Sequence, residues 1–259
     1  MMKLLKKYFL FNLSAGMEYR ISFLIQVFGM FLNNSAFIFF WLILFERVGG
    51  DIKGYGFDDV MFLWALAALG YGLTQIFMGN SRYISSIIYK GELDVYLLQP
   101  RAVLPNMVCS RMNTAGWGDI TYGIILYVLT QGADPLKALM FVFFSVLMAV
   151  VFTAVRIIYH SLTFFLGNAE QFAGTVTEMI IMFILYPGSI FSGPSTWILH
   201  TVIPSALVAW IPAELFVQFD LQKFLILMIA DVSIVFLSII VFRTGLKRYS
   251  SGNRMGTRL

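Results

Sequence analysis

Charge is what this sequence has least of. Only 12% of its 259 residues are Asp, Glu, Lys or Arg, about half the share of a water-soluble domain. That excludes a globule with a polar coat. Cysteine occurs once, as Cys109, which excludes an intrachain disulfide and a thiolate metal cluster; it reads as a small apolar residue. The two histidines, His160 and His200, fall near opposite faces on the topology derived below, so a shared metal site is not expected. His160 reads as an interface residue. The motifs G-x-x-x-x-G-K-S/T, H-E-x-x-H, C-x-x-C and G-x-S-x-G are all missing, so no phosphate-binding loop for ATP and no hydrolytic centre is expected in this chain. Segments of about ten alternating residues, the mark of a transmembrane barrel, are missing too.

What is there is apolar length. Hydrophobic residues make up 59% and aromatics 17%, with 26 Phe and 12 Tyr, which suits a lipid-facing surface with rings at its interfaces. The fold class is all-α, a polytopic membrane protein of six spans in a single transmembrane domain. A span needs ~20 apolar residues, and the runs 21–45, 60–79, 112–130, 136–162, 172–186 and 222–242 supply them. Residues 1–20 place Lys3, Lys6 and Lys7 against Leu4, Leu5, Tyr8 and Phe9, the pattern of a helix lying in the interface near anionic headgroups. The apolar run Tyr8–Leu13 is too short for a cleavable signal peptide. Between runs five and six, residues 187–218 hold Pro187, Gly188, Gly193, Pro194, Pro204 and Pro212. No straight helix accommodates that set. A re-entrant segment is expected, which survives at membrane depth only where protein or a water-filled cavity surrounds it.

Cations decide the orientation. With both termini inside, fourteen of the 18 Lys and Arg fall on the inner side, and Arg47, Lys53, Lys137 and Lys223 on the outer. That is the positive-inside bias. It makes residues 81–105 a cytoplasmic segment, with Gly91 bending it between two helical pieces. Val95, Tyr96, Leu97 and Leu98 sit there beside Glu92 and Asp94, and apolar groups outside the bilayer call for a partner groove.

Polar residues inside spans are candidates for a pathway or gate. They are Asn33 and Asn34 in the first span, the acids Asp119, Glu178, Asp231 and Glu170 in or near spans, with Pro187 and Gly188 at the break. Glu178 and Asp231 lie on the spans nearest the broken segment and suit the lining of a pathway. Local pairing is the other reading, Asp119 with Arg111 and Glu178 with Arg156.

The stretch KGELDVYLLQPR, Lys90–Arg101, resembles the G-x-L/F-D-x-x-L-x-x-P signature of ABC-2 type permeases, six-span membrane subunits of bacterial exporters. Gly91, Leu93, Asp94, Leu97 and Pro100 match. The ending Gly245–Asn253 resembles that branch as well, and the likeness spans essentially the whole chain. The resemblance implies a separately encoded ABC ATPase subunit that binds ATP and Mg, and a second permease chain, as homodimer or heterodimer. It implies a multi-pass protein of the bacterial cytoplasmic membrane, in contact with lipid and not with nucleic acid. It makes the segment around Ser85–Leu98 the coupling helix, with Ile87, Ile88, Gly91, Glu92, Leu93, Asp94, Leu97, Leu98 and Pro100 as the ATPase-coupling set, and residues 187–218 the extracellular gate. The cargo expected is hydrophobic or amphipathic. The alternatives are a proton-coupled carrier using Glu178 and Asp231, and an integral membrane enzyme acting on lipid.

Overall fold

A computed structural model describes residues 2–250; the 251–259 stretch, with Arg254, Arg258 and the end of the Gly245–Asn253 likeness, lies outside the described residues. The fold is all-α. Four helices are long and apolar enough to cross a membrane: α2 (Arg20–Val48), α3 (Phe57–Phe77), α8 (Pro135–Ser161) and α13 (Leu221–Leu246), and a fifth crossing follows if one bent pair counts as a span. The other two expected spans are α7 (Gly116–Gln131), of 16 residues, and α10 (Glu170–Ile184), of 15. Both fall short of the ~20 residues a straight crossing takes, so the count of six is not reproduced by length alone. An N-terminal helix, α1 (Met2–Glu18), precedes them.

Glycines explain how the short α7 is held. A methyl group on Gly123 would lie 2.7 Å from the Leu69 backbone nitrogen, and one on Gly118 would lie 2.5 Å from the Val27 carbonyl. The backbone of α7 therefore touches α3 on one side and α2 on the other, the close approach that small residues allow in membranes. In contrast α2 and α13 leave Ile25, Phe28, Phe39, Ile229, Val232 and Phe236 exposed, an apolar exterior suited to lipid. The large core cluster, with Trp41, Leu66, Phe144, Phe152 and Trp210, fills the space between α3, α8 and the bent pair.

The bundle has a basic end, bearing both terminal helices' outer ends and the 81–111 stretch, and an opposite end closed by acids that cap helices. Asp59 accepts from Gly56 N–H at 2.9 Å, Asp134 from Leu136 N–H at 2.9 Å and Asp220 from Lys223 N–H at 2.8 Å. Each satisfies an orphan donor of a helix N-terminus. The bent pair lies between α10 and α13. It comprises α11 (Pro194–Thr201), then a π-helical stretch Ala206–Trp210 running into α12 (Ile211–Val217), turned by 71°. Lys53 reaches the Ile190 carbonyl before it, and Glu214 in its second limb shares a cavity with Tyr55. Both limbs thus start from the acidic end. The tip is far down the bundle, where Tyr159, near the basic end of α8, donates to the Val202 carbonyl.

Candidate functional site

The 81–105 segment is built from short pieces. A 3-10 turn, Gly79–Tyr83, leads into α4 (Ile84–Tyr89), followed by α5 (Asp94–Leu97) and α6 (Val103–Val108). Gly91 sits at φ 74°. Its N–H donates to the Ile88 carbonyl at 3.2 Å and the Glu92 N–H to the Ile87 carbonyl at 2.9 Å, the pair of bonds of a Schellman cap. A side chain in that left-handed conformation costs about 1–2 kcal/mol, which is why glycine stands there. The turn sends Leu93 inward. With Ile84, Ile87, Ile88, Met107 and Val108 it forms a second apolar cluster, to which α8 adds Ile157 and α13 adds Phe242. The turn then raises α5, and there Leu98 is 86% exposed, Val95 62% and Leu97 41%.

The expected coupling set is therefore divided. Ile87, Ile88 and Leu93 are buried within this chain, which corrects the expectation that they face a partner; they fasten the segment. Glu92, Leu97, Leu98 and Pro100 are exposed, and Asp94 and Gly91 are half-buried. Val95 belongs to the exposed face although it lies outside the signature positions.

Hydrogen bonds fix the segment to two other elements, α1 and α8. Ser85 Oγ lies 2.8 Å from His160 Nδ1 and 3.1 Å from the His160 carbonyl. His160 is buried, so it is a tie between α4 and α8 and not an interface residue. Tyr8 of α1 donates to Asn106 Oδ1 at 2.6 Å, and Asn106 in turn donates to Gln99 at 2.7 Å. Asn12 donates to the Ser110 carbonyl at 3.3 Å, and Asn80 bridges the Met107 carbonyl and Ser110 Oγ at 2.8 and 2.9 Å. Beyond α13, burial and the neighbouring Asp94 carboxylate push the Tyr249 hydroxyl up to about 12. Burial pushes the Cys109 thiol up to about 11, which keeps it neutral.

A groove of about 700 Å³ opens between α2, α3 and α10, lined by Phe37, Phe40, Trp41, Trp64 and Tyr186. It brings Asn33, Asn34 and Glu178 together, with Asp119 at the same wall. Asn34 Nδ2 donates to Asp119 Oδ1 at 2.8 Å; Asp119 thus pairs with Asn34 and not with Arg111. Pro187 and Gly188 follow Tyr186 directly. A methyl group on Gly188 would meet the Trp210 ring at 2.9 Å, so the break packs against the bent pair. Asp231 lines neither this groove nor the cavity below it. It is buried on α13, and its carboxylate has no hydrogen-bond partner among the described residues.

Nearer the basic end lies a polar cavity of about 280 Å³, lined by Arg82, Arg156, His160, Glu170 and Glu178. Tyr71, Glu178 and Ile181 line both spaces, so the groove and the cavity meet there. The expected Arg156–Glu178 pair is not made. Arg156 donates to Gln75 Oε1 at 3.3 Å and to the Tyr71 hydroxyl at 3.4 Å. Among the described residues the one ion pair is Lys223 with Glu214, at the opposite end. Sequence reasoning missed Arg156 and Tyr71 as lining. The available signal was Tyr71 and Gln75 one helical turn apart, two polar groups on one face of an apolar helix.

Residues 31–252 match the family described as ABC-2 family transporter protein. No curated protein and no solved structure matches the chain.

Proposed function

We propose, from the premise that the chain belongs to the ABC-2 family of transporter proteins, that it is the membrane permease of an ABC exporter driven by a separately encoded ATPase. The ATPase subunit binds ATP and Mg, and a second permease chain, identical or related, completes the transporter. The observation that carries the reading is the two-sided 81–105 segment. Its inner side is fastened to α1, α8 and α13, and its outer side presents Val95, Leu97 and Leu98 beside Glu92. Exposed apolar groups on a short rigid helix are what a groove on a soluble partner takes up. Force applied to α5 reaches α8 through Ser85–His160 and the Leu93–Ile157–Phe242 packing.

The groove and the polar cavity support a hydrophobic or amphipathic cargo, taken up from the basic, cytoplasmic end. Closure of the ATPase dimer draws two such segments together. The motion of α8 against α3 then opens the joined spaces toward the gate formed by residues 187–218. The location that follows is the bacterial cytoplasmic membrane, both termini inside. Proton coupling through Glu178 and Asp231 has less support, because the two acids lie in different places.

The test is co-purification in mild detergent with thiol labelling of Leu98→Cys, in a Cys109→Ala background, in sealed inside-out vesicles. The reading expects an ATP-hydrolysing protein to accompany the chain. It also expects impermeant maleimide to reach the new thiol from the cytoplasmic side, and ATPase binding to protect it. Labelling from the opposite side alone overturns the proposal.

A further inference from the structure

Arg156 is a buried cation that its neighbours satisfy poorly. It is 3% exposed, and its two hydrogen bonds, at 3.3 and 3.4 Å, lie beyond the ordinary N–H···O range of 2.7–3.2 Å. Its Nε has no partner among the described residues. The guanidinium carbon rests 4.5 Å from the Phe152 ring centre and 5.4 Å from that of Tyr71, which offers partial compensation. An unpaired buried cation carries a desolvation cost of several kcal/mol, and an ionisable group buried in a membrane-spanning helix is a candidate functional residue.

The space it lines is two-signed. Arg82 joins Arg156 as the second cation; Glu170 and Glu178 are the acids. None of the four forms an ion pair with another described residue; Arg156 is buried, and Arg82, Glu170 and Glu178 are exposed. Its upper end is continuous with an aromatic, apolar groove through Tyr71, Glu178 and Ile181.

We propose that this cavity receives the headgroup of a zwitterionic amphiphile, the anionic group on Arg156 and Arg82 and the ammonium on Glu178 and Glu170, with its tail lying in the Trp41–Trp64 groove. The assignment names the cargo class of the pathway proposed above and rests on that pathway. Binding to the permease alone tests it, so an absent ATPase partner would sink the exporter reading without touching this result. Selectivity among headgroups, in turn, bears on this proposal only.

The probe is one brominated acyl tail carrying phosphoethanolamine, phosphoglycerol or trimethylammonium, titrated into the purified chain while tryptophan fluorescence is read. Trp64→Phe should remove much of the quenched signal. Phosphoethanolamine should quench at a concentration at least tenfold below the other two. Arg156→Gln should weaken phosphoethanolamine at least tenfold and leave trimethylammonium unchanged or tighter; Glu178→Gln should weaken phosphoethanolamine likewise and leave phosphoglycerol unchanged. Arg156→Gln also removes an unpaired buried charge, so its melting temperature should hold or rise, whereas a structural arginine predicts a fall. Should that variant not fold, Arg156→Lys keeps the charge without the planar fork, and must retain the preference at reduced affinity. Equal quenching by the three headgroups, or an equal loss of all three in both variants, overturns the proposal. So does a signal that survives dilution into amphiphile-free detergent, which marks a resident lipid instead of cargo.

Discussion

Replacing Leu98 and Leu93 by alanine, one at a time, separates the two sides of the 81–105 segment. Leu98 is 86% exposed and Leu93 is fully buried, although they stand only five positions apart. Burying a leucine completely is worth about 1.5–3 kcal/mol. Truncating Leu98 to alanine removes a large part of what it gains in a partner groove, about 1–2 kcal/mol, and about 1.4 kcal/mol is tenfold in affinity. The variant should fold and insert like the parent, melt at the same temperature, and bind the ATPase subunit about tenfold more weakly. Leu93→Ala instead opens a cavity among Ile84, Ile88, Met107, Ile157 and Phe242. Core truncations of this type cost about 2–5 kcal/mol, which lowers the melting temperature by about 5–15 °C in a chain of this size. The assay pairs thermal melting in detergent with the ATPase retained on the immobilised permease across a titration. Unchanged ATPase binding by Leu98→Ala, or a parent-like melting temperature for Leu93→Ala, refutes the two-sided reading.

Gly91→Ala places a side chain at φ 74°. It should lose about 1–2 kcal/mol and lower ATP-driven transport more than membrane insertion, measured by cargo efflux beside expression level. Ser85→Ala removes the contact with His160; ATP turnover should persist while transport per ATP falls, read from parallel phosphate-release and efflux rates. Cys109 gives a pH test. With its thiol raised to about 11, the reactive thiolate at pH 8 is about a hundredfold scarcer than for an ordinary thiol at 9.0. Maleimide labelling should be slow at pH 8 and accelerate roughly tenfold per unit toward pH 11. The folded state favours the neutral thiol, so its contribution to stability is intact below pH 9 and is lost as pH rises toward 11. Gly123→Val forces a branched side chain onto the Leu69 and Ala65 backbone and should abolish the parent's folded peak in size-exclusion chromatography.

Much of the architecture is legible in the sequence because hydrophobic length is a one-dimensional property. The limits of α2, α3, α8 and α13 follow from where apolar residues stop and caps such as Asp134–Pro135 begin. The bend at Gly91 is legible for the same reason, since glycine between two apolar stretches marks a turn. Contact partners are not written so locally. Local pairing suggests Arg111, eight positions away, as one partner for Asp119, yet Asp119 meets Asn34 across a helix interface. Charge alone suggests Glu178 as one partner for Arg156, but Arg156 donates to Gln75 and Tyr71 instead. Ile87, Ile88 and Leu93 look like the apolar face of a docking helix until the residues packed over them, Ile157 and Phe242, come from the far side of the chain. Glycines in α7 carried a usable signal that hydropathy alone does not rank: three of them, Gly116, Gly118 and Gly123, fall in one short helix.

The second apolar cluster draws on residues 84–93, 107–108, 157 and 242, and α13 is synthesised after all the rest of it. A nascent chain therefore has no firm seat for α5 until its final long helix has been threaded into the lipid. Prematurely terminated copies would lack Phe242 beneath Leu93. On the proposed coupling role, assembly is thereby ordered in time, with the docking surface completed last.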